Sequence, residues 1–161
     1  MVSLQQVIDE HGAALGRLAA SYERDAGLRE ELMQEVLLAI HQALPRLRDP
    51  DRLKPFVFRI AHNRALSHVV GRMRLPGVQG VDEDIPCEAA DPERQLAQRQ
   101  SSERLAVAVR RLPLPYRQVI TLVLEDFSYD EIAETLGLSV SNVGVRVNRA
   151  KAQLRSLLGH D

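Results

Sequence analysis

The last third of the chain carries side chains that are suited to hydrogen bonding with DNA. After residue 139 a helical pattern places valines and leucines on one side and polar or basic residues on the other. Arginine and asparagine can pair with base edges, whereas lysine suits phosphates. Four basic residues against one acid, Asp161, give this segment a local charge of +3. The residues predicted to contact DNA here are Ser139, Ser141, Asn142, Arg146, Asn148, Arg149 and Lys151.

A second group of basic and amide side chains lies between residues 59 and 74. Helical spacing predicts a buried ridge from Val57 to Met73 and an opposite ridge that is polar and largely basic. For one helix considered alone, a solvated charged face is the commoner explanation. The members of this group are Arg59, His62, Asn63, Arg64, Ser67, Arg72 and Arg74.

No residues are spaced as a catalytic or metal site would require. His62 and His68 lack a cysteine or carboxylate at ligand spacing, so we predict no metal. The single cysteine, Cys87, lies among acidic residues that disfavour its thiolate. The sequence has no glycine-rich phosphate loop, nucleophile elbow or facing pair of catalytic carboxylates. We therefore expect neither enzymatic activity nor a cofactor.

Two short helices are predicted to position the first polar group. Ser128 and Glu131 have the spacing of a capping box, Gly137 can end that helix, and Ser139 can cap the next one. This pattern predicts a helix-turn-helix whose second helix could enter the major groove. A plain helical hairpin with a solvated basic face is the alternative for this segment taken alone.

Three further helices are predicted in the first half. The first covers Leu4 to Tyr22, and the second repeats an apolar residue at every fourth position from Leu28 to Leu44. A loop with two prolines follows, and a third helix starts near Pro55 and ends near Arg74.

The stretch from 77 to 93 breaks the helical pattern with six acidic residues and no basic ones. No strand-like alternation of any length occurs in the 161 residues. We therefore predict an all-α protein of two small helical domains joined by a flexible acidic linker. An N-terminal bundle of three to four helices would cover 1–76, the linker 77–94, and a C-terminal helix-turn-helix domain 95–161.

The formal net charge is -1 and the isoelectric point about 6.5, so any DNA affinity must come from local patches. One cysteine excludes an intrachain disulfide and suits a reducing compartment. The N-terminus lacks a signal-like pattern, and no apolar run approaches membrane-spanning length. These features predict a cytoplasmic protein without membrane insertion.

Three blocks of the sequence resemble the extracytoplasmic-function sigma factors of bacterial RNA polymerase. They are Arg29 to Val36, Phe56 to Leu66 and Leu112 to Leu158. The blocks occur in that family's order and at about its spacing. A match of three blocks in order is far more specific than a match of one.

The resemblance implies a role for each block. The acidic ridge formed by Glu30, Glu31, Gln34 and Glu35 would dock on the polymerase core enzyme. The alternative is that these residues are ordinary solvent-exposed acidic residues without a binding role. The loop 47–54 and the third helix would capture the unpaired strand of the minus-ten promoter element. The C-terminal helix pair would read the minus-thirty-five element as duplex, with Arg117 as a phosphate contact.

The chain also departs from the family pattern. Gly144 occupies the middle of the recognition helix, where the family usually has a basic residue, and the basic tail after Arg74 is thin. Glycine inside a helix costs about 1 kcal/mol relative to alanine. These departures predict weaker or unusual promoter preference.

The expected function is therefore that of a sigma factor which directs core polymerase to promoters, assists melting and is controlled by an anti-sigma factor. One alternative is a decoy that binds an anti-sigma protein without initiating transcription, which Gly144 favours slightly. A freestanding helix-turn-helix regulator would explain the last third of the chain, but not the acidic ridge.

Overall fold

The computed structural model describes residues 1–73 and 93–159, and leaves aside the side chains of 72, 73 and 93–99. Cys87, Arg74, the Arg72 side chain and most of the predicted linker therefore lie outside the described residues. Over the described ranges the chain forms seven α-helices and two short 3-10 turns, with no strand. This confirms the all-α prediction.

Three helices form the N-terminal half: α1 (Leu4–Tyr22), α2 (Ala26–Ala43) and α3 (Leu53–Met73). The Ser3 hydroxyl caps α1 by accepting the N–H of Gln6 at 3.2 Å. The Asp25 carboxylate caps α2 by accepting the N–H of Leu28 at 2.9 Å. The prolines between α2 and α3 start the 3-10 turns Leu44–Arg46 and Pro50–Arg52, which reverse the chain in few residues.

Four helices form the C-terminal half: α4 (Glu93–Arg110), α5 (Leu114–Leu124), α6 (Tyr129–Leu136) and α7 (Val140–Leu157). The predicted capping box is present, because Ser128 and Glu131 exchange side-chain to backbone hydrogen bonds of 3.1 and 2.9 Å. Gly137 ends α6 with a φ of 70°, and Ser139 caps α7 through the N–H of Asn142. The turn therefore forms as predicted.

The buried face of α3 is wider than the sequence pattern predicts. Val57, Ala61 and Ala65 are buried, as predicted for one ridge. Phe58 and His62 form a second buried ridge, which faces the C-terminal half. The Phe58 ring contacts that of Phe127 edge to face, with centroids 4.9 Å apart. The buried residues of the two halves consequently form one continuous apolar cluster.

We expect Ser128→Ala to lower the free energy of unfolding by about 1 kcal/mol, because the N–H of Glu131 loses its acceptor. Urea denaturation of the full chain measures this. The matched control is Ser156→Ala, an exposed serine within α7, which should change stability by less than about 0.5 kcal/mol. Equal effects in the two variants would contradict a capping role.

Candidate nucleic-acid interface

The outward face of α7 is exposed as predicted. Ser141, Asn142, Asn148, Arg149 and Lys151 are all exposed, and Arg146 is half-buried at the edge of the helix. Ser139 is exposed but already accepts a hydrogen bond as the N-cap. Val143, Val147 and Ala150 point inward and are fully buried. The helix therefore presents hydrogen-bonding groups on a surface that its own fold leaves free.

Gly144 is not required by the packing of the protein. A Cβ atom added there would meet only Tyr129 Cε2 within 4 Å, at 3.8 Å, which is an ordinary van der Waals distance. Val145, the next residue, is 45% exposed. The middle of α7 thus exposes a small, apolar surface between polar residues.

A cleft of about 400 Å³ lies between α2 and α3. Asn63, Arg64 and Ser67, which are predicted to bind the minus-ten strand, line it from α3. Gln42 and Arg46 line it from α2 and the first 3-10 turn, and neither was predicted. The cleft therefore combines amide, hydroxyl and guanidinium groups, which are donors and acceptors that suit a base edge and a phosphate.

Arg59 is bound by the protein itself. Its guanidinium donates to the carbonyl oxygens of Glu134 and Thr135, at the C-terminal end of α6. The last carbonyls of a helix lack intrahelical partners and carry partial negative charge, so a cation is stabilised there. In this arrangement the Arg59 guanidinium contacts α6, although the residue as a whole is exposed.

The prediction that His62 lies on an exposed basic face is wrong for this structure. His62 is 1% exposed, with Nδ1 3.0 Å from the Tyr22 hydroxyl and Nε2 3.5 Å from the Thr121 hydroxyl. Burial lowers the pKa of His62 to about 3, so the ring is neutral at pH 7. Its nearest polar neighbours come from both halves of the chain, which makes His62 part of the joint between them.

Arg117 is likewise not presented as a phosphate contact. Its guanidinium donates to the carbonyl oxygens of Arg110 and Leu112 at the end of α4, and it lies 5.5 Å from the centre of the Tyr22 ring. Desolvation lowers the pKa of this group. The predicted role is therefore replaced, in this structure, by capping of α4.

The predicted polymerase-docking residues Glu30, Glu31, Gln34 and Glu35 are all exposed on α2. Leu38, one turn beyond Gln34, is 57% exposed. The ridge is accessible to a partner, and its binding role stays a prediction.

Charge is distributed unevenly across the contact between the two halves. In three ion pairs across this contact the cation belongs to the N-terminal half and the carboxylate to the C-terminal half. Arg17 forms two 2.7 Å hydrogen bonds with Glu125, and Lys54 lies 3.0 Å from Glu131 and 4.1 Å from the centre of the Phe127 ring. Arg52 pairs with Glu134. The pKa of Glu131 is lowered mainly by the hydrogen bond that its carboxylate accepts from the backbone N–H of Ser128. The nearby Lys54 lowers it further, so Glu131 is ionised at neutral pH.

No helix within 1–73 or 93–159 is long and apolar enough to cross a bilayer. The same residues contain no cluster of three or more His, Cys, Asp or Glu side chains arranged to hold a metal ion. His68 Nε2 lies 2.9 Å from a Glu23 carboxylate oxygen, whereas His62 contacts hydroxyl groups. The two histidines therefore have separate partners.

Comparison with known proteins gives two family matches in the order of the two halves. Residues 7–75 match the sigma-70 region 2 model, and residues 102–154 match the sigma-70 region 4 model. These two regions on an all-α chain define an RNA polymerase sigma factor.

Comparison with individual relatives shows which group of sigma factors the chain resembles. The chain is 32% identical to the RNA polymerase sigma factor CnrH of Cupriavidus metallidurans, over 97% of this chain and 86% of CnrH. It is 31% identical to the ECF RNA polymerase sigma factor ShbA of Streptomyces griseus subsp. griseus, over 80% of this chain and 70% of ShbA. The chain belongs to the extracytoplasmic-function family of sigma factors.

Solved structures agree with the fold. CnrH in complex with the cytosolic domain of CnrY matches with a TM-score of 0.71 and 28% identity, over 97% of this chain and 87% of CnrH. The sigma factor RpoE from Bartonella quintana, solved with the anti-sigma factor NepR, matches in fold with a TM-score of 0.76 at 24% identity, over 98% of this chain and 97% of RpoE.

The buried state of His62 makes stability dependent on pH. The unfolded chain protonates this imidazole below pH 6.5, whereas the folded chain keeps it neutral down to about pH 3. Its contribution is complete above pH 6.5 and is lost as the pH falls towards 3. We expect His62 to account for a loss of about 2 kcal/mol between pH 7 and pH 5, measured by urea denaturation.

His62→Gln should flatten this pH dependence, because glutamine does not titrate. His41→Gln, at an exposed position on α2, is the control and should keep the wild-type slope. The same slope in His62→Gln as in the control would show that His62 is not held neutral by burial.

Proposed function

We propose that this chain directs RNA polymerase core enzyme to promoters, docking through α2, capturing an unpaired strand beside α3, and reading duplex DNA with α7. The observation that carries the proposal is the presence of both sigma-70 regions on one chain whose α2 and α7 surfaces are exposed. The chemistry is binding alone, in the cytoplasm where polymerase acts, without enzymatic activity or a cofactor. The domain limits 1–76, 77–94 and 95–161 are part of this proposal.

The α2 and α3 cleft is the proposed place for an unstacked base. A base that leaves the duplex loses stacking and pairing, so it needs a pocket with both walls and hydrogen-bonding groups. Asn63 and Gln42 can bond a base edge from opposite sides, and Arg46 and Arg64 can bind the flanking phosphates. Binding energy of this kind can hold a melted strand without nucleotide hydrolysis.

The two halves must separate for all proposed contacts to form. Arg59 is assigned to the minus-ten strand, yet here its guanidinium is bound to α6 carbonyl oxygens. Lys54 and Arg52, beside the same strand-binding surface, are paired with Glu131 and Glu134. We infer that polymerase binding replaces this packed arrangement with one in which α6 leaves α3.

Control by an anti-sigma factor fits the packed arrangement. The matched CnrH structure contains the cytosolic domain of CnrY, and the matched RpoE structure contains an anti-sigma factor. A partner that binds both halves while they are packed would keep Arg59 away from DNA. The decoy alternative has no support among the relatives, which are named as sigma factors.

Run-off transcription with core polymerase and a promoter from the same organism tests the function. We expect specific transcripts from the wild-type chain and none from the triple variant Glu30→Lys, Glu31→Lys, Glu35→Lys, because reversed charge on α2 should abolish core binding. Anti-sigma binding without transcripts would instead support a decoy, and promoter binding without core would support a freestanding regulator.

A matched control reverses three exposed acids elsewhere, Asp9, Glu10 and Glu103, and changes the net charge equally. It should retain transcription and core affinity. Circular dichroism and thermal melting should show both variants folded. Wild-type core affinity in the α2 variant would contradict the docking assignment.

Separation of the halves can be followed by fluorescence energy transfer. With Cys87 replaced by serine, labels at Gln42→Cys and Ser156→Cys would report on α2 and α7, both at exposed positions. We expect transfer efficiency to fall when core polymerase is added. A control pair at Gln5→Cys and Gln42→Cys, within the N-terminal half, should not change. Unchanged transfer in a chain that has bound core would contradict separation.

A further inference from the structure

The middle of α7 carries two neighbouring residues that its own fold does not call for. Gly144 weakens a helix by about 1 kcal/mol relative to alanine, yet a Cβ atom there would have room. Val145 is β-branched and 45% exposed, so it also disfavours the helix without filling the core. A single exposed valine is unremarkable by itself. The pair is notable because both lie where α7 would approach DNA.

The neighbours of Val145 define what could contact it. One helical turn on either side, the exposed ridge continues through Ser141 and Arg149, and Asn148 is also exposed. Between residues 140 and 157 the helix carries four basic residues and no acid. A basic surface around one exposed valine suits a negatively charged partner that carries a small apolar group. It does not suit an apolar groove on another protein.

The major groove of DNA offers one apolar group, the C5-methyl of thymine. The other groove edges present hydrogen-bond donors and acceptors, which Val145 cannot pair. Gly144, the preceding residue, places no side chain beside Val145, and a Cβ atom there would lie 3.8 Å from Tyr129 Cε2. The isopropyl group of Val145 could then reach a methyl group, while Ser141 and Arg149 bond the adjacent bases.

We infer that Val145 is a specificity-determining residue that recognises a thymine methyl in the upstream duplex element of the promoter. This inference rests on the proposed function, since it requires α7 to bind duplex DNA within the holoenzyme.

The test replaces thymines of the upstream element by deoxyuridine, one at a time, in a promoter that supports run-off transcription. Deoxyuridine removes only the methyl group and keeps base pairing. Full-chain holoenzyme binding is measured by fluorescence anisotropy. We expect one substitution to weaken wild-type binding about fourfold, the effect of one lost methyl contact.

Val145→Ala should weaken binding to the thymine promoter by a similar factor and lose sensitivity to that deoxyuridine. Val140→Ala is the control, because Val140 is 46% exposed but lies on a different side of α7. It should retain the wild-type sensitivity. Val145 is 45% exposed and alanine favours a helix more than valine does, so Val145→Ala should remain folded, which circular dichroism checks.

Three results would overturn the inference. Wild-type binding could be insensitive to every deoxyuridine, Val145→Ala could remain as sensitive as wild type, or Val145→Ala could weaken binding to core polymerase in the absence of DNA. The last result would assign Val145 to a protein contact. Failure of the wild-type holoenzyme to bind any promoter would instead overturn the proposed function itself.

Discussion

Burial of one side of α3 between the two halves of the chain holds the molecule in the observed arrangement. Phe58 contacts Phe127, and His62 fills the space between Tyr22 and Thr121. Replacing a buried phenylalanine by alanine costs about 3–5 kcal/mol, whereas an exposed ion pair contributes about 0.2–1 kcal/mol. Apolar contact therefore supplies most of the attraction, and the surrounding ion pairs favour one orientation.

Features that act over a few residues were predictable from the sequence. Ser128, Gly137 and Ser139 form the turn through backbone atoms close in sequence, so their spacing was sufficient. The exposed face of α7 followed from helical periodicity in the same way. Family resemblance added the order of the functional blocks, which local patterns alone did not contain.

Features that depend on packing between helices were not predictable. His62 is buried because Tyr22 and Thr121, 40 and 59 residues away, close over it, and a polar residue beside arginines resembles surface. Arg117 donates to carbonyl oxygens at the end of α4, only 5 and 7 residues away, and also lies against Tyr22 of the N-terminal half. The cleft between α2 and α3 includes Gln42 and Arg46, which are exposed polar residues outside the apolar stripe that predicted α2.

Three of the cations that join the halves, Arg52, Lys54 and Arg59, also belong to the surface proposed to bind the promoter. The Arg59 guanidinium donates hydrogen bonds to carbonyl oxygens of α6, and Lys54 is paired with Glu131. The oxygen acceptors of α6 therefore occupy the positions at these cations that DNA phosphates would take. Promoter DNA would have to compete with α6, which belongs to the same chain and is therefore present at a high effective concentration.

The partial exposure of these ion pairs gives ionic strength two opposing effects. The Arg17 side chain is 62% exposed and that of Lys54 34%, so dissolved salt screens the attraction between the halves. The same salt weakens phosphate binding, because each counterion released from DNA gains less entropy when the surrounding salt is concentrated. Because the apolar contact of Phe58 with Phe127 does not depend on charge, added salt should weaken binding to nucleic acid more than it loosens the contact between the halves.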